Sequence, residues 1–177
     1  IRNLFYNTPA RKKFLKSPRT ELRKVIDVVR RFGLSYPEVS FSLISDDKKI
    51  ISVLSESLEE RINSLFDKTY RKNLLSITIT KGDYTFTGFV GNLNLVRRRP
   101  GEQYLFLNRR FIKDRLLNSA VYSAYRSLVK RGEFPFFVIN LAIPADQVDV
   151  NVHPMKIEAR FKDEWRVYHV LRSGVND

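Results

Sequence analysis

The stretch Asp149-Val-Asn-Val-His-Pro-Met-Lys-Ile-Glu-Ala-Arg-Phe161 sets a proline between two strand-like runs. Val148, Val150 and Val152 alternate with Asp149, Asn151 and His153, and Ile157, Ala159 and Phe161 alternate with Glu158 and Arg160. A period of two is that of half-buried strands. Pro154 has no N–H to give to a ladder, which favours a turn at His153-Pro154-Met155 and leaves Lys156 at its exit, able to present an ammonium to a phosphate. The same alternation puts Lys156, Glu158 and Arg160 on one face, a composition equally suited to a solvated strand surface. Asp149, Asn151 and His153 also share a face. With His153 and His169 the only histidines and no cysteine, a metal cage lacks its usual ligands, and hydrogen-bonded loop chemistry is the simpler reading.

Working outward, Phe136 to Ile143 is an apolar run expected to form a central strand. Before it, Leu117, Ala120, Val121, Ala124 and Leu128 mark an amphipathic helix with Arg126 and Lys130 outward and Gly132 just past its end. After Phe161, a last helix is expected from Asp163, with Trp165, Tyr168 and Leu171 as its apolar positions. Leu75 to Thr80 and Tyr84 to Val90 flank Lys81-Gly82-Asp83, a hairpin signal. Tyr104 to Leu107 and Phe111 to Lys113 flank a turn at Asn108-Arg-Arg110, where asparagine tolerates the left-handed conformation. Nearer the N-terminus, Thr8 and Pro9 read as the cap and first position of a short helix. Leu22, Val25, Ile26, Val29 and Phe32 mark a longer helix ended by Gly33. Phe41 to Ile44 and Ile50 to Leu54 read as a strand pair. A composition shift near Ser55 and a helix from Leu58 to Phe66 suggest two units, residues 1–56 and 57–177. The order of elements predicts an α/β (α+β) fold, a mixed sheet with helices.

The formal charge is +13, and its placement is informative. Residues 1–31 hold ten basic and two acidic residues, and residues 97–115 hold seven and two; these two stretches account for the whole excess. Charge focused in this way suits a polyanion, nucleic acid first. The alternative is solvated helix surface, since Asp27 stands at helical spacing from Arg23, Arg30 and Arg31. No apolar run is long enough to cross a bilayer and no leader precedes one, so no membrane partner is expected. A chain opening on Ile1 is expected to be part of a longer protein.

Three blocks, Asn3-Leu-Phe-Tyr-Asn-Thr-Pro-Ala-Arg-Lys-Lys-Phe-Leu15, Gln103-Tyr-Leu-Phe-Leu-Asn-Arg-Arg-Phe-Ile-Lys-Asp114 and Val148 to Phe161, together resemble the MutL family of DNA mismatch repair proteins. The resemblance implies that residues 1–56 are the C-terminal part of a GHKL-type ATPase domain. Residues 57–177 would then be a transducer domain, with the fold of domain 2 of ribosomal protein S5 and of gyrase-type topoisomerases. It maps the family's γ-phosphate-sensing lysine onto Lys156. It places the metal-holding Asn, the general-base Glu and the glycine-rich lid before Ile1, so ATP and Mg are expected in the full-length protein, with neither cofactor nor turnover in this segment alone. Lys113 and Arg115 are the implied DNA contacts, with Arg97, Arg98, Arg99, Arg109 and Arg110 supplementary; Arg109 stands where the family usually has glycine. The implied partners are DNA, mismatch-recognition and downstream repair proteins, and a second copy in a homodimer, in a bacterial cytoplasm. Other functions compatible with the fold are the transducer of a type II topoisomerase, which the Asn7-Thr-Pro-Ala-Arg11 block argues against, and a ribosomal-type RNA-binding domain, which has no need of the Lys156 block.

Overall fold

The computed structural model describes residues 5–152 and 157–176. Its centre is a five-stranded sheet in the order β3-β4-β7-β5-β6, formed by β3 (Leu74–Lys81), β4 (Tyr84–Gly91), β5 (Gln103–Leu107), β6 (Arg110–Ile112) and β7 (Phe137–Ala142). β7 is central as expected, antiparallel to β4 and parallel to β5. Two hairpins supply the outer pairs, and each has the turn its residues allow. Gly82 adopts φ 59° between β3 and β4, while Asn108 (φ 46°) and Arg109 (φ 68°) form a left-handed pair between β5 and β6.

Alternation along β5 and β7 builds a core on each face of the sheet. Leu105, Leu107, Phe137, Ile139 and Leu141 point to one side, where α4 (Arg115–Tyr125) and α5 (Glu164–Asn176) cover them with Leu117, Val121, Val167 and Leu171. Tyr104, Phe106, Phe136 and Val138 point to the other, beneath α2 (Pro18–Ser35), α3 (Leu58–Leu65) and the hairpin of β1 (Phe41–Ser45) with β2 (Lys48–Val53). A short α1 (Pro9–Lys13) precedes α2. Gly88 has to be glycine: its φ is 143°, and a Cβ there would stand 2.0 Å from the Val138 carbonyl oxygen, inside the β4–β7 ladder.

Several elements differ from the sequence expectation for identifiable reasons. Thr8 is the N-cap residue of α1, but its side chain makes no capping bond. Gly33 does not end its helix, since α2 continues to Ser35. A Cβ on Gly33 would lie 3.2 Å from Leu65 Cδ1, so glycine serves the close approach of α3 there. The helix after Arg115 stops at Tyr125, whose hydroxyl donates to the Gly91 carbonyl at 2.5 Å, while Leu128 and Val129 turn back onto the Tyr125 carbonyl. Trp165 is not a core residue: α5 buries Val167, Val170 and Leu171 and leaves Trp165 66% exposed. β8 (Val148–Asp149) and β9 (Arg160–Phe161) pair over two residues only, because the Asp149 carboxylate accepts the Asn151 N–H at 2.8 Å and starts a turn there. Most of the strand expected from Ile1 to Tyr6 lies outside the described residues.

Candidate polyanion surface

The end of the first basic stretch, Arg30 and Arg31, meets the second on the α2 side of the sheet. α2 runs past the β5–β6 hairpin, and a cavity of about 420 Å³ between them is lined by Arg31, Arg109 and Arg110 at its rim and by Phe32, Phe106, Phe111 and Ile157 among its apolar walls. A neighbouring hollow gathers Arg30 with Arg97, Tyr70 and Glu102. A third, on the other flank of Arg31, reaches Lys113 and Asn118. Arg30 lies 5.2 Å from the Phe66 ring centroid and Arg31 4.0 Å from that of Phe111, so both guanidiniums are held by aromatic faces. Their Nε–H groups are buried without a hydrogen-bond partner among the described residues. Neither arginine belongs to the three blocks that carried the family resemblance. The signal that could have found them is the adjacent pair at the end of a basic helix.

The arginines and lysines singled out from the sequence separate into two kinds. Arg97 is tied inward: its guanidinium donates to the Tyr70 hydroxyl at 2.8 Å and lies 3.3 Å from Glu102, and its backbone bridges to Phe134. Burial and the Glu102 carboxylate push the Tyr70 phenol up to about 12, so it stays protonated as a donor to Glu102. Arg109 is also engaged. It donates to the Ser35 carbonyl at 3.2 Å and to Glu38 at 2.5 Å, lies 4.7 Å from the Tyr36 ring centroid, and its own carbonyl accepts the Ser35 hydroxyl. These contacts, with an Arg109 N–H bond to Asn140 at 3.0 Å, hold a non-glycine residue in the left-handed turn. Arg110 is exposed and has a partner. By contrast, Arg98, Arg99, Lys113 and Arg115 are exposed and have no ion pair among the described residues. They are the free cations of the second basic stretch and make up its cationic rim.

Lys113 and Arg115 are positioned through the backbone. The Lys113 N–H donates to the Ile157 carbonyl at 2.6 Å. Asp114, between them, caps α4 by accepting the Leu117 N–H at 2.7 Å. Burial raises the Asp114 carboxyl above the ordinary aspartate range, with Glu164 and Glu158 adding to the shift. Ile157 follows Lys156 in the chain; Lys156 itself, with His153, Pro154 and Met155, lies outside the described residues. Among the described residues no three acidic or histidine side chains gather to hold a metal ion, and no helix is long and apolar enough to cross a membrane.

A mixed sheet carrying two helices on one face and an N-terminal layer on the other is a fold that solved repair proteins share. The crystal structure of the N-terminal domain of a DNA repair protein superposes with a TM-score of 0.79 at 21% identity, covering 98% of this chain and 58% of that one, a likeness of fold. The Aquifex aeolicus MutL ATPase domain complexed with ADP superposes with a TM-score of 0.62 at 29% identity, over 81% of this chain and 51% of that one. The family model described as DNA mismatch repair protein, C-terminal domain, matches residues 62–177, and the chain belongs to the MutL family of DNA mismatch repair proteins. The DNA mismatch repair protein MutL of Chloroherpeton thalassium is 39% identical over 175 residues, which is 99% of this chain and 27% of that protein. The chain spans under a third of the length of such curated relatives.

Proposed function

We propose that this chain is the part of a MutL-type mismatch repair protein that contacts DNA and couples that contact to nucleotide state. The observation that carries the reading is the approach of Arg30 and Arg31, from the end of the first basic stretch, to cations of the second around α2 and the β5–β6 hairpin. Arg98, Arg99, Lys113 and Arg115 are the phosphate-contacting residues in this reading, with Arg97, Arg109 and Arg110 as supplementary contacts. Contacts of this kind read backbone charge and not base sequence, as a protein that must act wherever an error lies requires.

In the same reading residues 1–56 belong to the end of an ATP-binding domain and residues 57–177 to the transducer that follows it. Lys156 is the residue that would contact the terminal phosphate of ATP, a contact present before hydrolysis and absent after it. The ADP complex of the Aquifex relative supports nucleotide use in the family. Magnesium would take its ligands from other parts of the protein in this reading. Mismatch-recognition and downstream repair proteins, and a second copy of the chain, complete the proposed partners, in a bacterial cytoplasm.

Duplex binding measured against salt tests the DNA assignment. The slope of log affinity on log salt falls by about 0.9 for each phosphate that is no longer neutralised. Replacing Arg98, Arg99 and Lys113 together by Glu is therefore expected to flatten the slope by about 2 to 3 while leaving the thermal transition in place. An unchanged slope removes the proposal.

A further inference from the structure

We propose that Arg109 is a latch with two alternative acceptors: the Glu38 carboxylate, which ties the β5–β6 turn to the segment after α2, and a nucleic-acid phosphate, which takes the same guanidinium and leaves that segment on its Arg61 bonds. The inference rests on the DNA reading above and names what DNA contact would do to the fold. Four observations carry it.

Arg109 joins the two layers at the point where they meet. Its Nε–H donates to the Ser35 carbonyl at 3.2 Å, its carbonyl accepts the Ser35 hydroxyl, its terminal nitrogen lies 2.5 Å from Glu38, and its guanidinium is 4.7 Å from the Tyr36 ring centroid. Every one of these partners belongs to the C-terminal turn of α2 or the three residues after it.

The turn that carries Arg109 does not depend on that ion pair. Asn108 donates to the Ile143 carbonyl at 2.9 Å and accepts the Ile143 N–H at 3.0 Å, and the Arg109 N–H is held by Asn140 at 3.0 Å. Opening the latch leaves the turn in place on β7.

The pair is also easy to exchange. The Arg109 and Glu38 side chains are 48% and 52% exposed, so water screens their attraction and the pair contributes little to stability. A phosphodiester offers the same fork geometry to a guanidinium as a carboxylate does, with the duplex's condensed counterions released in addition.

Finally, Arg109 shares its cavity rim with Arg31 and Arg110. Lys113 shares an adjoining hollow with Arg31 and Phe111, so a strand held at Lys113 lies beside the hairpin that bears the latch.

The experiment uses the intact protein and a short duplex, with hydrogen exchange and salt-dependent affinity as readouts. In the parent, duplex binding is expected to accelerate amide exchange across residues 33–38 several-fold. Glu38→Gln removes the competing carboxylate at an exposed position. It is expected to raise affinity for the duplex at low salt and to accelerate exchange at 33–38 before any DNA is added. Arg109→Gln is expected to flatten the salt slope by the equivalent of one neutralised phosphate, roughly 0.9. A purely structural Arg109–Glu38 pair would change exchange while Arg109→Gln kept the parent's slope. If the parent binds the duplex while Arg109→Gln leaves the slope unaltered, the latch is overturned and the DNA reading stands. If the parent binds no duplex, both fall together.

Discussion

On one face of the five-stranded sheet, α4 and α5 lay Leu117, Val121, Val167 and Leu171 over Phe86, Ile139 and Leu141, with no charged side chain buried among them in the described residues. On the other, α2, α3 and the β1–β2 hairpin cover Tyr104, Phe106, Phe136 and Val138 with aromatic rings and guanidiniums, and Arg61 is fully buried. The first face holds by apolar area and close fit; the second holds by directed hydrogen bonds that fix where the N-terminal layer sits. Arg61 shows the difference best. From α3 it donates to the carbonyls of Gly33 (2.7 Å), Pro37 (2.8 Å), Val39 (2.9 Å) and Leu54 (2.5 Å), and pairs with Glu56 at 2.8 Å. One side chain from α3 thus collects the end of α2, the loop after it and the end of β2. Apolar packing tolerates sliding, whereas such a set of bonds has one geometry.

Removing that attachment is the strongest way to break the comparison. Arg61→Ala leaves four carbonyls, that of Gly33 buried and the others part-buried, and a carboxylate without this donor, and a loss of about 3 to 5 kcal/mol is expected in urea denaturation. Arg61→Met should recover little of it, because apolar volume does not satisfy those carbonyls. A loss below about 1 kcal/mol for either variant would mean that the second face is held by packing like the first. On that first face, Gly174→Ala offers the matched test. A Cβ there would stand 2.3 Å from the Ile79 side chain, so α5 must shift off β3, at a cost of about 1 to 3 kcal/mol. Hydrogen exchange should then rise along α5 and β3 and stay unchanged at residues 33–38. Spread to that segment would show that the two faces are mechanically one.

The sequence and the structure agree most where a period of two or a turn residue decides the outcome. The hairpin at Gly82, the central run Phe136 to Ile143 and the mixed sheet were legible because alternation and turn chemistry are local properties. Helix ends were less so: Gly33 and Trp165 follow their tertiary neighbours, Leu65 in one case and the α4–α5 seam in the other, which no local pattern encodes. The charge excess was legible as two patches, but not that Arg30 and Arg31 reach the second of them, nor that Arg97 and Arg109 are committed to Glu102 and Glu38 while Arg98, Arg99, Lys113 and Arg115 stay open. Arg61 gave no signal at all. A lone arginine on an amphipathic helix reads as surface, and only the convergence of three backbone segments makes it interior.

The smallest effect sharpens the boundary between the faces at Asp114, which caps α4 on the apolar side while its neighbours Lys113 and Arg115 face the cationic rim. Asp114→Ala loses the bond to the Leu117 N–H and is expected to cost about 1 kcal/mol. Asp114→Asn keeps an acceptor oxygen and removes the charge that burial disfavours. Because the folded carboxyl is raised above its unfolded value, the parent's favourable contribution from this group is fully present below the ordinary aspartate range and is lost as pH rises through the raised value. Asp114→Asn is therefore expected to match or exceed the parent in stability at neutral pH, with the difference shrinking as the solution is acidified. Denaturation midpoints followed across that range decide it. A difference that grows on acidification would mean the ionised carboxylate is the stabilising form, drawn down by Lys113 and Arg115, and the cationic rim would then reach further around the sheet edge than its geometry indicates.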